Sequence, residues 1–276
     1  MIEIPNIVLQ GMKGLPGIGL QEITDLMSKF IICSLRIGAF IIAAPFFGGA
    51  SVPLHVRIIF TSLIGILILN FVPIPSFQDF SNLQILKVVI VEISIGLFSG
   101  LIMSIWFAAA VLAGEKIAHS SALGYAAQVD PVSGMQSPVI AMIFSMLLTI
   151  CFLTLDGHLV VLRLIIESYQ YIPIGMMPLF GPMINGGIEA AKSMFYIAAL
   201  IMLPVAIAML LINTVVGVIT RSAPTLNLFS FAFPLTIFAV FVIIYFSLNS
   251  ISLTLSDLID ATINNVKFVL EEASNG

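Results

Sequence analysis

The chain has 276 residues, 60% of them hydrophobic and only 9% charged, and a mean hydropathy of +1.17. A soluble domain carries about a quarter charged residues, so this composition excludes an ordinary soluble globule and points to an integral membrane protein or a deeply buried part of an assembly. Ten basic residues against fourteen acidic ones leave a net charge of −4, and the basic residues stand singly, so there is no basic stripe to track nucleic acid.

Residues 1–29 mix apolar and charged side chains (Glu3, Lys13, Glu22, Asp25, Lys29) around the turn GLPGIGL, which reads as an irregular or interfacial start. No basic stretch precedes an apolar run there, which argues against a cleaved signal peptide. From Phe30 apolar runs follow at about 30–44, 58–72, 85–112, 138–155, 158–172, 194–219 and 229–250, each bounded by proline, glycine or a short polar cluster. They make up a helical core over 30–250, and a polar C-terminal tail is expected over 251–276. A simple membrane span needs about 20 apolar residues. Several runs are nearer 15 before Pro45, Pro73 or Pro173 stops them, so the count of spans is five to seven and the short runs read as hairpins packed on other protein. The runs lack the alternation of a barrel, and an open sheet edge cannot be satisfied in lipid, so the fold class is all-α, a polytopic membrane-type protein of packed helical hairpins.

Within or beside these runs stand Arg36, Arg57, Glu92, Asp156, Arg163, Glu167 and Arg221. Ionisable groups at such depth face protein or water. They could relay protons or ions, pair across packed helices, or lie at helix ends; Arg163 and Glu167, four apart, can pair along one helix. Glu92, Gly96, Gly100, Ser104 and Ala108 recur at every fourth position and form a small-residue ridge with an acidic end, against which another helix backbone could pack closely. Asn213, Gly217 and Arg221 repeat the step, giving a polar ridge that suits either helix packing or the lining of a pore.

Cys33 and Cys151 each stand alone in an apolar run, His55, His119 and His158 are far apart, and no phosphate loop, HExxH or GxSxG pattern is present. The sequence therefore calls for no catalytic residues, cofactor or metal, and an enzyme is not expected. One segment fits poorly as an ordinary loop: GEKIAHSSALGYAAQVDPVSG, from Gly114 to Gly134, lies between two long apolar runs, yet apart from Glu115, Lys116, His119 and Asp130 most of it is alanine, serine and glycine.

Four stretches together resemble the family of the flagellar biosynthetic protein FliR and its SctT counterpart in virulence-type type III secretion. They are RIGAFIIAAPFFGGASVPLHVRI (36–58), the segment from Gly114, LTLDGHLVVLRLIIESYQYIPIG (153–175) and LLINTVVGVITRSAPTLNLFSFAFPL (210–235), in the family's order and spacing. Carried over onto this chain, the family's structural motif positions are Arg36, Pro45, Pro53, Arg57, Asp130, Pro131, Gly157, His158, Arg221, Pro224, Asn227 and Pro234. The chain departs from the family at Thr225, commonly Gln, at Ala232, commonly Gly, and at Ser120 and Ala122, commonly Gln and Gly.

The resemblance implies a FliR-like fold, similar to a fusion of FliP-like and FliQ-like folds, in one domain over 1–276. It implies a subunit of the type III protein-export gate in the bacterial inner membrane, within the flagellar basal body or, alternatively, in the homologous injectisome. Its implied partners are FliP-like and FliQ-like subunits, FlhB-like and FlhA-like components, and unfolded export substrates in transit. The segment 113–129 would form a loop plugging the closed pore, with Gly114, Glu115, Ile117, Leu123, Tyr125 and Val129 at the family's plug positions. No catalysis by the chain itself is implied.

Overall fold

The computed structural model describes residues 20–49, 52–75, 80–121, 139–222 and 231–274. Among the described residues there are seven α-helices and no strand: α1 (Leu20–Ala43), α2 (Leu54–Phe71), α3 (Asn82–Ser120), α4 (Val139–Thr154), α5 (Gly157–Tyr171), α6 (Phe180–Ser222) and α7 (Phe233–Ala273). The chain is thus an all-helical, polytopic protein. Five helices are long and apolar enough to cross a membrane, and α4 with α5, bent by 69° at the break between them, could make a sixth pass.

Prolines set several helix ends, as the sequence indicates. Helices α1, α2 and α5 stop at Ala43, Phe71 and Tyr171, two residues before Pro45, Pro73 and Pro173. The residue before a proline is pushed out of the helical region, and the ring itself offers no N–H to the ladder. At the start of α3, Ser81 and Gln84 form a capping box: the Gln84 N–H donates to Ser81 Oγ (3.4 Å) and the Ser81 N–H to Gln84 Oε1 (2.8 Å).

Hydropathy located the helices but misjudged their extent. α1 begins at Leu20, ten residues ahead of the apolar run, with Glu22 in its first turn and an Asp25–Lys29 ion pair (2.6 Å) along one face. The expected polar tail from residue 251 is instead the continuation of α7, whose Ile251, Leu255, Leu258, Ile259, Thr262, Val266, Val269, Leu270 and Ala273 are buried. Their spacing of three and four makes an apolar stripe, while Asp257, Asp260, Lys267 and Glu271 occupy the other positions of an amphipathic helix. α6 likewise starts fourteen residues before its run, at Phe180, and continues through Pro204 with the loss of one ladder bond.

Side-chain pairings fix the direction of each helix. Arg36 meets Glu92 while Ser104 Oγ donates to the Ala43 carbonyl (2.6 Å), so α1 and α3 run parallel. α2 returns antiparallel to α1, with Cys33 Sγ reaching the Gly65 carbonyl (3.6 Å) and Gly38 beside Thr61. α4 descends along α3, since Gly114 lies on Ala141 and Phe107 packs edge-on to Phe152 (5.2 Å). α6 climbs parallel to α3, from Phe180 beside Phe98 to Asn213 beside Ser120. α7 descends against α6 and ends where the Leu179 N–H donates to the Ala273 carbonyl (3.0 Å). α3 is therefore the central post, with α1, α4, α6 and α7 all packed on it.

Candidate functional site

The ridge on α3 faces α1. A Cβ at Gly96 would collide with the Arg36 carbonyl, and one at Gly100 would stand 2.6 Å from Ala43 Cβ and 3.0 Å from the Phe40 carbonyl oxygen. Only glycine lets the two backbones approach this closely, and Ser104 adds a hydrogen bond to the Ala43 carbonyl on the same line. Ala108, one turn on, lines a small cavity with Pro45, Phe46, Phe107, Ser145 and Thr149.

Glu92, at the acidic end of the ridge, is fully buried and holds Arg36, also fully buried. Arg36 Nε donates to Glu92 Oε2 (2.8 Å) and its Nη2 to Glu92 Oε1 (3.1 Å), a two-pronged pair. The same guanidinium donates through Nη1 to Ser168 Oγ (3.0 Å) and through Nη2 to the Ile172 carbonyl (2.8 Å), and lies 4.1 Å from the ring centre of Tyr169. Tyr169 in turn donates its hydroxyl to the Cys33 carbonyl (2.5 Å). Four of the five guanidinium N–H groups are thereby satisfied, which is what a charge buried away from water requires. Sequence reasoning singled out Arg36 and Glu92 separately but missed Ser168, Tyr169 and the Ile172 carbonyl. Those partners lie 132 to 136 residues away from Arg36 and Cys33, beyond any periodic signal.

Beyond α1 the chain turns at Pro45, and Pro53 stands at the N-cap of α2. Arg57 ties this turn down by donating through Nη2 to the Gly49 (2.6 Å) and Val52 (2.9 Å) carbonyls. At the α4–α5 break, Asp156 takes a left-handed conformation (φ 53°), Gly157 packs on the Phe152 ring, and His158 lies beside Phe46 and Phe152. Arg163 and Glu167 pair along the exposed side of α5 (2.6 Å), a surface ion pair of small energetic weight.

The structure corrects the reading of residues 113–120 as the start of a loop. They are the last two turns of α3, which closes at Ser121 with that residue's Oγ donating to the Ala118 carbonyl (2.9 Å). Ala113, Glu115, Lys116 and Ala118 favour helix, and Gly114 and Ile117 are buried, with Gly114 against the backbone of Ala141. Glu115 is half-buried on the same turns. Leu123, Tyr125, Val129, Asp130 and Pro131 lie outside the described residues, as do Ala122, Pro224, Thr225 and Asn227.

The polar ridge on α6 is open. Among the described residues nothing lies within 4 Å of a Cβ built at Gly217, Arg221 is exposed, and Asn213 donates from an exposed side chain to the Ser120 carbonyl (2.9 Å). At the start of α7, Ala232 is buried and Pro234 is exposed. Among the described residues no group of three or more His, Cys, Asp or Glu side chains is placed to hold a metal ion.

A helical post, a glycine seam and a buried arginine set the packing of this bundle. Residues 27–262 match the family described as bacterial export proteins, family 1. The chain belongs to that family. It is 34% identical over 206 residues to the flagellar biosynthetic protein FliR of Escherichia coli (strain K12), covering 74% of this chain and 77% of that one. To the FliR of Bacillus subtilis (strain 168) it is 28% identical over 255 residues, 91% of this chain and 98% of that one. The FliR of Pectobacterium carotovorum subsp. carotovorum is 31% identical over 216 residues, 78% of this chain and 82% of the relative. The family match takes in all of α2 to α6 and most of α1 and α7, so the seam, the Arg36 cluster and the open ridge all fall inside it.

Proposed function

We propose that this chain is a subunit of a type III protein-export gate of the flagellar kind, which with FliP-like and FliQ-like subunits forms the channel passing unfolded export substrates across the inner membrane. One structural observation carries the assembly part of this reading. Exposed apolar side chains on α6 run from Ile184 through Ile188, Phe195, Leu200, Leu203, Ile207, Leu211 and Val215 to Ile219. At about 1.5 Å per residue that stripe is about 50 Å long, whereas the hydrocarbon of a bilayer is about 30 Å thick and the tilts usual for spanning helices do not absorb the difference. Lipid alone leaves part of the stripe uncovered, and sister subunits of an assembly are suited to cover the rest. The flagellar names of the relatives favour a flagellar machine over the homologous injectisome.

In this reading the chain is a wall and packing element and catalyses nothing itself. FlhB-like and FlhA-like components are its further neighbours, and the segment beyond Ser121 plugs the closed channel. The test is purification from the cell's own membranes by a tag on the full-length chain. Recovery of a defined complex with FliP-like and FliQ-like chains is expected; a stable monomer or homo-oligomer alone would overturn the reading. Because 114–120 belong to α3 and Gly114 packs on α4, the plug is tested by removing residues 122–129 only. The complex should then assemble but leak small ions across reconstituted vesicles, and an assembled, ion-tight complex would remove the plug assignment.

A further inference from the structure

Among the described residues, the two with positive φ both flank helix α5. Asp156 (φ 53°) stands at the 69° break from α4, and Gly175 (φ 91°) stands four residues past its last turn. Single residues in the left-handed region are points where a chain changes direction without continuing the helix. The broad packing of α5 is against α7 and α4. Its attachment to α1 and α3 runs through polar groups gathered near its C-terminal end: Ser168 Oγ and the Ile172 carbonyl on Arg36, the Tyr169 ring under the same guanidinium, and the Tyr169 hydroxyl on the Cys33 carbonyl. Glu92 holds the guanidinium in place from α3.

We propose that α5 is a hinged arm, pivoting between Asp156 and Gly175, and that the buried Arg36–Glu92 pair is the latch that holds its C-terminal end shut against α1 and α3. The device is suited to two discrete states. With the arm closed, four of the five guanidinium N–H groups are satisfied, and when the arm leaves Arg36 the Ile172 carbonyl and Ser168 Oγ lose their donor together. The surface that α5 shields, around Cys33 and Arg36, is buried only while the arm is closed. This inference concerns the chain alone and does not depend on the export reading.

The test uses the full-length chain in native membranes, with Cys33 and Cys151 replaced by alanine and a single reporter thiol, Ile172→Cys, at a side chain that is fully buried. Labelling by a membrane-permeant maleimide is followed in this background and after the latch is removed by R36M/E92L. That double change replaces both charges by apolar groups and leaves no lone buried charge to unfold the protein. A control reporter, Met103→Cys, sits buried on α3, three turns along that helix from Glu92. Labelling at position 172 is expected to rise tenfold or more in the unlatched chain, with position 103 unchanged, and Ser168→Ala should give a smaller rise. Equal labelling at 172 with and without the latch would show that apolar packing on α7 holds α5. A parallel rise at both reporters would reduce the pair to an ordinary support of the fold. Either result overturns the proposal.

Discussion

Two ridges with the same four-residue step end up in opposite environments. On α3, Glu92, Gly96, Gly100 and Ser104 are pressed against α1, with the backbone of Arg36 and Phe40 where glycine side chains would be. On α6, Asn213, Gly217 and Arg221 are exposed, Asn213 reaches the Ser120 carbonyl at the end of α3, and among the described residues nothing lies within 4 Å of a Cβ at Gly217. The step makes a smooth strip in both cases, but it does not say which helix will lie on it. α1 covers the first strip because it runs parallel to α3 and carries its own small residues, Ala39 and Ala43, at the crossing. The second strip lies on the last turns of α6, touching α3 through the Asn213–Ser120 hydrogen bond at one end and exposed at Gly217 and Arg221. An exposed polar strip with a glycine at its centre, on a family member that we read as one subunit of a gate, is where a neighbouring helix fits.

Substitutions can break this contrast or sharpen it. The largest effect is expected at the charged end of the covered ridge. Arg36→Met leaves Glu92 buried without its partner and should cost about 3–5 kcal/mol, whereas R36M/E92L should recover most of that loss. Thermal unfolding of the detergent-solubilised chain, followed by size-exclusion chromatography, measures both. Next comes Gly100→Leu, which drives a side chain into the Ala43 methyl and the Phe40 and Ala44 backbone and should cost about 1–3 kcal/mol or more and lower the yield of complex. Wild-type yield and melting would mean that the seam is looser than the geometry states. Smallest for the chain itself is Gly217→Leu, expected to leave its melting unchanged within about 0.5 kcal/mol, since the site is open. It should nevertheless reduce recovery of sister subunits several-fold. If Gly217→Leu co-purifies a full complex, the open ridge is not an interface.

The sequence made some of this legible and concealed the rest for identifiable reasons. Helix ends at Ala43, Phe71 and Tyr171 could be read because proline acts locally. The ridge on α3 could be read because a four-residue step is a property of one helix. Arg36 and Glu92 drew attention singly because charges are rare in such a chain, but their pairing, 56 residues apart, and the closure by Ser168 and Tyr169 depend on tertiary packing. The extents of α1, α6 and α7 were misjudged because hydropathy marks where a helix is apolar, not where it is helical; α7 continues to Ala273 with one polar face. Residues 114–120 were misread because glycine, serine and alanine suggest a loop. Here the glycine serves a helix contact, and Ala113, Glu115, Lys116 and Ala118 carry the helix on.

The parallel pairing of α1 with α3 also has a consequence in time. Arg36 leaves the ribosome 56 residues before Glu92 and more than 130 before Ser168 and Ile172. At about 5–20 residues per second the first interval alone is several seconds. Throughout it α1 carries an uncompensated positive charge in mid-helix, which opposes membrane insertion by about 2.5–3.5 kcal/mol. α1 should therefore wait at the insertion machinery for its acidic partner and enter together with α3. Nascent chains arrested before Glu92 should insert α1 poorly, and chains arrested beyond Ser120 should insert it well. Arg36→Leu should make insertion independent of the arrest point, which a glycosylation-site assay on arrested chains can read directly.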